Sequence, residues 1–282
     1  MLKVENLCKK YPTFCLDNVS FHIPAGVIVG FIGQNGAGKT TTLKCIMQSV
    51  LPDSGTICVN NKSMAMHEEE NKQIISFTTG AFDYYRNHTL LKIANVYKTF
   101  YHDWDDEVFK KYCLKFKLDP FKRVKELSAG MRVKFALALA LSHNAQLFLF
   151  DEPTSGLDPI ARDEMLDVFQ DIVLDGDKSI LFSTHITSDL EKCADYIIYI
   201  DNGKILLACP KDELLDSHAI IKGSLDNLTE DICQRCVAVK TNKFGYTGLM
   251  KRSYLLPTDS FVTERPTVED IMIYYNKGVQ QW

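Results

Sequence analysis

Eight consecutive residues, Gly33-Gln34-Asn35-Gly36-Ala37-Gly38-Lys39-Thr40, have the spacing G-x-x-x-x-G-K-[ST]. Each residue type suits a polyphosphate. Glycines let the backbone curl tightly, so its N–H groups converge on phosphate oxygens. A helix that starts at the end of the loop adds the positive end of its dipole. The Lys39 ammonium reaches β- and γ-phosphates, and the Thr40 hydroxyl ligates Mg²⁺. With Thr41 one residue further on, Gly33, Asn35, Gly36, Ala37, Gly38, Lys39, Thr40 and Thr41 form the candidate phosphate-binding set.

A second group of residues supplies hydrolytic chemistry. The apolar run Leu147–Phe150 leads straight into Asp151-Glu152. A carboxylate at the end of a buried strand can hold a metal shell, and Asp151 takes that role beside Thr40. A second carboxylate can orient or deprotonate an attacking water near the γ-phosphate, and Glu152 is the candidate general base.

These residues need a scaffold. Leu2 to Ile32 reads as β-rich: Val19–Ile23 alternates, Pro24–Gly26 turns, and Val27–Ile32 is a continuous apolar run that suits a strand buried on both faces. Leu43, Ile46, Met47 and Val50 repeat as an amphipathic helix, ended by Pro52–Gly55 before a short strand, Thr56–Val59. Ile74–Thr78 is another strand. Helical periodicity then predicts helices near Thr89–Tyr101, Asp105–Lys117 and Ser128–Ser142. Strand and helix alternate again: Leu147–Phe150, Pro159–Leu174, Ser179–Ser183 and Tyr196–Ile200, the last followed by the turn Asn202-Gly203. The order implies a mostly parallel sheet with a helical insertion over about 80–143. Residues 1–217 form the main domain. Residues 218–282 form a small α/β appendage, whose last helix opens on a capping-box-like pair, Thr267 and Asp270.

The formal net charge is −4 over 282 residues, which argues against nucleic acid as a partner. The nine cysteines are scattered and read as reduced thiols. Cys233 and Cys236 have CxxC spacing, but a single such pair without nearby histidines does not make a metal site. Asp103, Asp105 and Asp106 read as helix-start acids rather than a metal cluster. No apolar run approaches the roughly 20 residues needed to cross a bilayer, so any membrane part belongs to another chain.

Further motifs resemble one family, the ABC-type transporter ATPases. Leu127-Ser128-Ala129-Gly130-Met131 resembles the family signature upstream of the acidic strand, and Ser155-Gly156-Leu157-Asp158 resembles its D-loop. His185 resembles the switch histidine, and Tyr11 the aromatic residue that stacks on adenine. The resemblance covers roughly residues 1–216 and implies a P-loop ABC-type ATPase fold, with a β-rich N-terminal subdomain, a mostly parallel core sheet and the helical insertion; the small C-terminal α/β appendage lies beyond it. It implies ATP and Mg²⁺ as ligands, with Glu152, His185 and Lys39 catalytic. Tyr11, Ser128, Gly130 and Asp158 join the nucleotide-binding set. It also implies a homodimer or a heterodimer with a related ABC ATPase, in which each ATP lies between one phosphate loop and the other signature helix. An integral-membrane permease would be the driven partner, with this chain on the cytoplasmic face of the cell membrane. An ABC ATPase not tied to transport, and a weakly active regulatory subunit, are the alternatives.

The chain departs from the pattern in places. Ala129 and Met131 differ from the usual signature. Where the family places a Q-loop glutamine, this chain has Gly80, with Thr79 or Asp83 as substitutes. These departures and the stretch His185–Ile197 resemble the bacterial ABC-2-type exporter ATPases of the YtrB-like group. Phe82, Tyr84, Tyr85, Tyr97, Phe100, Tyr101 and Trp104 suggest a groove for a short coupling helix of the membrane partner.

Overall fold

The computed structural model describes residues 1–79 and 85–279. The chain packs as two units: Met1–His185 with Ile198–Ala208, and Ile186–Ile197 with Cys209–Trp282. Thus Phe82, Tyr84, Gly80 and Asp83 of the sequence reading lie outside the described residues.

In the first unit, strands β1 (Leu2–Lys10), β2 (Cys15–Ile23), β4 (Ser54–Val59) and β5 (Lys62–Ser63) form an antiparallel sheet in the order β2-β1-β4-β5. β3 (Ile28–Ile32), β6 (Ile75–Thr79), β7 (Leu147–Asp151), β8 (Ser179–Thr184), β9 (Tyr196–Asp201) and β10 (Lys204–Pro210) form a second sheet ordered β10-β9-β3-β8-β7-β6. β3, β8, β7 and β6 run parallel. Every residue of β3, β7 and β8 is buried, as strands covered on both faces require.

Helices α1 (Lys39–Ile46), α2 (Glu68–Gln73), α3 (Leu90–Phe100), α4 (Asp106–Lys115), α5 (Ala129–Ser142) and α6 (Pro159–Val173) complete this unit. Their starts are written in the sequence. Thr89 caps α3 through Lys92 N, and Asp105 caps α4 through Glu107 N and Val108 N, the role expected of these acids. Ser128 Oγ accepts from Met131 N at 3.3 Å, and Asp158 Oδ1 accepts from Ile160 N and Ala161 N at 3.0 Å ahead of Pro159. One helix is shorter than its apolar stripe. α1 stops at Ile46 because Gln48 turns left-handed (φ 56°), while Ser49 N and Val50 N both donate to Lys44 O. Val50 therefore lies beyond the helix.

His143 ends α5 and is 2 % exposed. Its ring stacks on Tyr101 at 3.8 Å, and Nδ1 donates to Gln73 O. Burial lowers its pKa from 6.5 to about 4. The folded state therefore binds fewer protons than the unfolded chain between those values. Stability is unaffected above pH 6.5 and falls as pH drops towards 4, by about 2 kcal/mol at pH 4.5. Urea melts at pH 7.5 and 4.5 should show a smaller acid loss for His143→Phe than for wild type. Equal losses would contradict this origin.

The second unit contains α7 (Thr187–Cys193), α8 (Lys211–Ser217), β11 (His218–Gly223), α9 (Glu230–Arg235), β12 (Cys236–Asn242), β13 (Gly245–Lys251), β14 (Val262–Glu264) and α10 (Val268–Val279). Its sheet is antiparallel, in the order β12-β13-β11-β14. Thr267 and Asp270 cap α10 reciprocally: Thr267 N donates to Asp270 Oδ2, and Asp270 N to Thr267 Oγ1. A cut at residue 217 follows chain order. Packing instead places α7 and α8 in the second unit, where Val268 N donates to Glu191 Oε1 and Lys211 Nζ to Glu191 O.

Candidate active site

The phosphate loop joins β3 to α1, so the motif stands between a buried strand and a helix N-terminus. Two glycines are required by their surroundings. Gly38 has φ 115°, and a Cβ there would meet Leu16 and Phe14 at 2.7 and 2.9 Å. A Cβ on Gly33 would meet Ile200 O at 2.3 Å. Ala37 locks the loop, its N–H donating to Gln34 O and its carbonyl accepting from Gly203 N.

Lys39 is 6 % exposed. Its ammonium donates to Gly33 O at 2.7 Å and Gln34 O at 3.3 Å, and lies 3.4 Å from Glu152 Oε1. Thr40 Oγ1 donates to Asp151 Oδ2 at 2.7 Å. The parallel register sets Asp151 beside Ser183 on one side and Thr79 on the other. Ser183 Oγ donates to Asp151 Oδ1 at 2.6 Å and accepts from Glu152 N at 2.9 Å. Glu152 has φ 54°, a left-handed backbone that costs a side chain roughly 1–2 kcal/mol. His185 Nδ1 donates to its Oε2 at 2.8 Å. One lysine, one histidine and a carboxylate thus meet at a single point.

These groups line a cleft of about 490 Å³ whose wall also includes Asn35, Gly36, Gly38, Thr41 and Ser155. Phe14 completes it, a residue that the spacing arguments missed. Tyr11 does not line this cleft. Tyr11 N donates to Phe14 O in a tight turn, and the turn presses Phe14, not Tyr11, towards Gly38. Tyr11 lines a neighbouring depression together with Phe14 and Asn202.

Ser128, Gly130 and Asp158 sit elsewhere. The starts of α5 and α6 abut, since a Cβ on Gly130 would lie 3.4 Å from Ala161 Cβ. Two helix N-termini therefore lie side by side, outside the cleft that Lys39 and Glu152 line. Hydroxyl and carboxylate oxygens at Thr40 and Asp151 are the hard donors that Mg²⁺ accepts, and two of them suit an ion shared with substrate phosphates. Among the described residues no group of three His, Cys, Asp or Glu could hold a metal by itself. Cys233 and Cys236 are free thiols, and burial pushes Cys236 up to about 12.

A family profile described as ABC transporter matches residues 16–155. The chain is 32% identical over 219 residues to the bacitracin transport ATP-binding protein BcrA of Bacillus licheniformis, covering 76% of this chain and 71% of that one. It is 29% identical over 211 residues to the ABC transporter ATP-binding protein YtrB of Bacillus subtilis, covering 75% and 72%. A solved ATP-binding subunit of an ABC transporter superposes with TM-score 0.68 at 26% identity, over 76% of this chain and 91% of that chain. The chain belongs to the ABC transporter family, as an ATP-binding and ATP-hydrolysing subunit of the YtrB-like group.

Proposed function

We propose that this chain powers a bacterial exporter: ATP closes a head-to-tail pair of such subunits, and hydrolysis reopens it. The observation that carries this reading is the division of the site. Lys39, Thr40, Glu152 and His185 line one cleft, while Ser128 and Gly130 stand outside it at the start of α5. A second copy, or a related ATPase, presenting its own α5 N-terminus and Ser128 hydroxyl would complete the pocket around the γ-phosphate.

Within the cleft, the loop amides and Lys39 bind the phosphates, and Phe14 offers a ring to the base. Tyr11 belongs to the turn that carries this ring, its N–H donating to Phe14 O. Thr40 and Asp151 would hold Mg²⁺, which when bound neutralises charge building on the β- and γ-phosphate oxygens. Glu152 orients the attacking water and takes its proton, and His185 holds the Glu152 carboxylate in place. Asp158, at the start of α6 beside Gly130, belongs to the face presented to the second copy. Thr79, at the strand end beside Asp151, stands nearest to the place of the missing glutamine.

No described helix is long and apolar enough to cross a membrane. The exporter reading therefore includes a polytopic permease and a place on the cytoplasmic face of the membrane. A relative named for bacitracin transport supports a role in transport. A separate cleft of about 950 Å³, floored by Ile74, Val96, Tyr97 and Tyr101, is the proposed seat of a short permease helix. Phe100 lines it and is 67 % exposed, an apolar surface that suits a partner. Tagged wild-type protein should bring a polytopic membrane protein out of a detergent extract. Phe100→Asp should lose that partner while ATP turnover stays within about twofold, because burying an unpaired carboxylate opposes docking. Retention of the partner by the variant would remove the groove assignment, and absence of any membrane partner would remove the transport reading.

A further inference from the structure

We infer that Ser183 is a positioning residue for hydrolysis: its single hydroxyl sets both the metal-binding carboxylate and the backbone of the general base. The inference rests on the roles proposed for Asp151 and Glu152.

Ser183 is fully buried in β8, the strand between β3 and β7. Like Ser179 and Thr184 of the same strand, it places a hydroxyl beside the fully buried Ile180, Leu181 and Phe182. Burial of a hydroxyl is tolerated only if it is hydrogen-bonded, and this one is used twice. It donates to Asp151 Oδ1 at 2.6 Å and accepts from Glu152 N at 2.9 Å. Glu152 N also lies 3.2 Å from Ser183 O, so a single residue receives this N–H through both its side chain and its main chain.

The two bonds have different consequences. Asp151 is 8 % exposed and has two carboxylate oxygens to satisfy. Thr40 serves Oδ2, and Ser183 serves Oδ1. Ser183 therefore holds the carboxylate with its Oδ2 edge towards the phosphate loop. The second bond fixes the N–H of a residue whose φ of 54° is disfavoured for any side chain. That backbone aims the Glu152 side chain at Lys39 and His185, at 3.4 and 2.8 Å. A hydroxyl at this single place thus couples the metal-binding group to the base, so both move together if it is lost.

The test uses the purified full chain carrying Ser183→Ala, Ser183→Thr or Ser183→Cys. Three quantities are read: kcat and KM for ATP, the affinity for a fluorescent ATP analogue in EDTA, and the gain in that affinity when Mg²⁺ is added. Losing a hydrogen bond to a charged group predicts a kcat about 10- to 100-fold lower for Ser183→Ala. Affinity in EDTA should stay within about twofold, because the phosphate loop is untouched, while the Mg²⁺ gain shrinks. Ser183→Thr restores the hydroxyl and should recover most of both. Ser183→Cys keeps the volume but has a weak donor and acceptor, so it should resemble Ser183→Ala. This Thr–Cys contrast decides the matter if the alanine variant does not fold.

Wild-type turnover in Ser183→Ala or Ser183→Cys would overturn the inference. So would equal impairment of the threonine and cysteine variants, or an EDTA affinity that falls in step with kcat. Glu152→Gln is run alongside. If it keeps full turnover, the base assignment fails by itself, and Ser183 is then judged on the Mg²⁺ gain, which reports through Asp151.

Discussion

Glu152→Gln should lower ATP turnover by about 100- to 10,000-fold, the span associated with a positioned general base, while nucleotide still binds. The side chain keeps its shape but loses the charge that draws both Lys39 and His185. Nothing in the loop that holds the phosphates depends on it: Lys39 remains anchored by Gly33 O and Gln34 O. The loss therefore falls on kcat rather than on binding. Steady-state phosphate release, read beside titration with a fluorescent nucleotide, checks this. A variant within tenfold of wild type would mean that another group takes the proton.

Lys39→Ala should instead act on binding. A charge-assisted hydrogen bond to phosphate is worth about 1.5–3 kcal/mol, so affinity for MgATP should fall about 10- to 150-fold. Turnover at saturating ATP should fall too, because the ammonium also pairs with the Glu152 carboxylate at 3.4 Å. Lys39→Arg should not recover affinity. A planar fork does not reproduce the point charge that now sits between the Gly33 and Gln34 carbonyls. Unchanged affinity in the alanine variant would contradict the assignment of the loop as the phosphate site.

The parts of the site that were legible in the sequence are those whose geometry is local. A tight loop needs glycine at fixed spacing, so Gly33–Thr40 announces itself, and a strand ending in two carboxylates does the same at Asp151-Glu152. Helix caps are equally local, which is why Thr89, Asp105, Ser128, Asp158 and Thr267 mark the starts of their helices. What depends on distant register was not legible. Ser183 matters because β7 and β8 pair with Asp151 opposite it, and the only hint was a serine at the end of a buried apolar strand. Phe14 and Tyr11 exchange places because of a turn closed by Tyr11 N and Phe14 O, which ring type and distance to the loop do not reveal. α1 ends early because Gln48 takes a left-handed backbone that its apolar neighbours do not signal. β10, which pairs with β9 across the turn Asn202-Gly203, went unread, and so did the grouping of α7 with α10, whose contacts lie far apart along the chain.

The central claim is that one chain holds half of each ATP site. Sedimentation of Glu152→Gln with saturating MgATP tests it most directly, because hydrolysis cannot reopen a closed pair. The account predicts conversion from a 32.0 kDa species to one of twice that mass, reversed when nucleotide is removed and absent in Lys39→Ala. A chain that binds ATP but stays at 32.0 kDa, alone and with any related ATPase from its host, would contradict it.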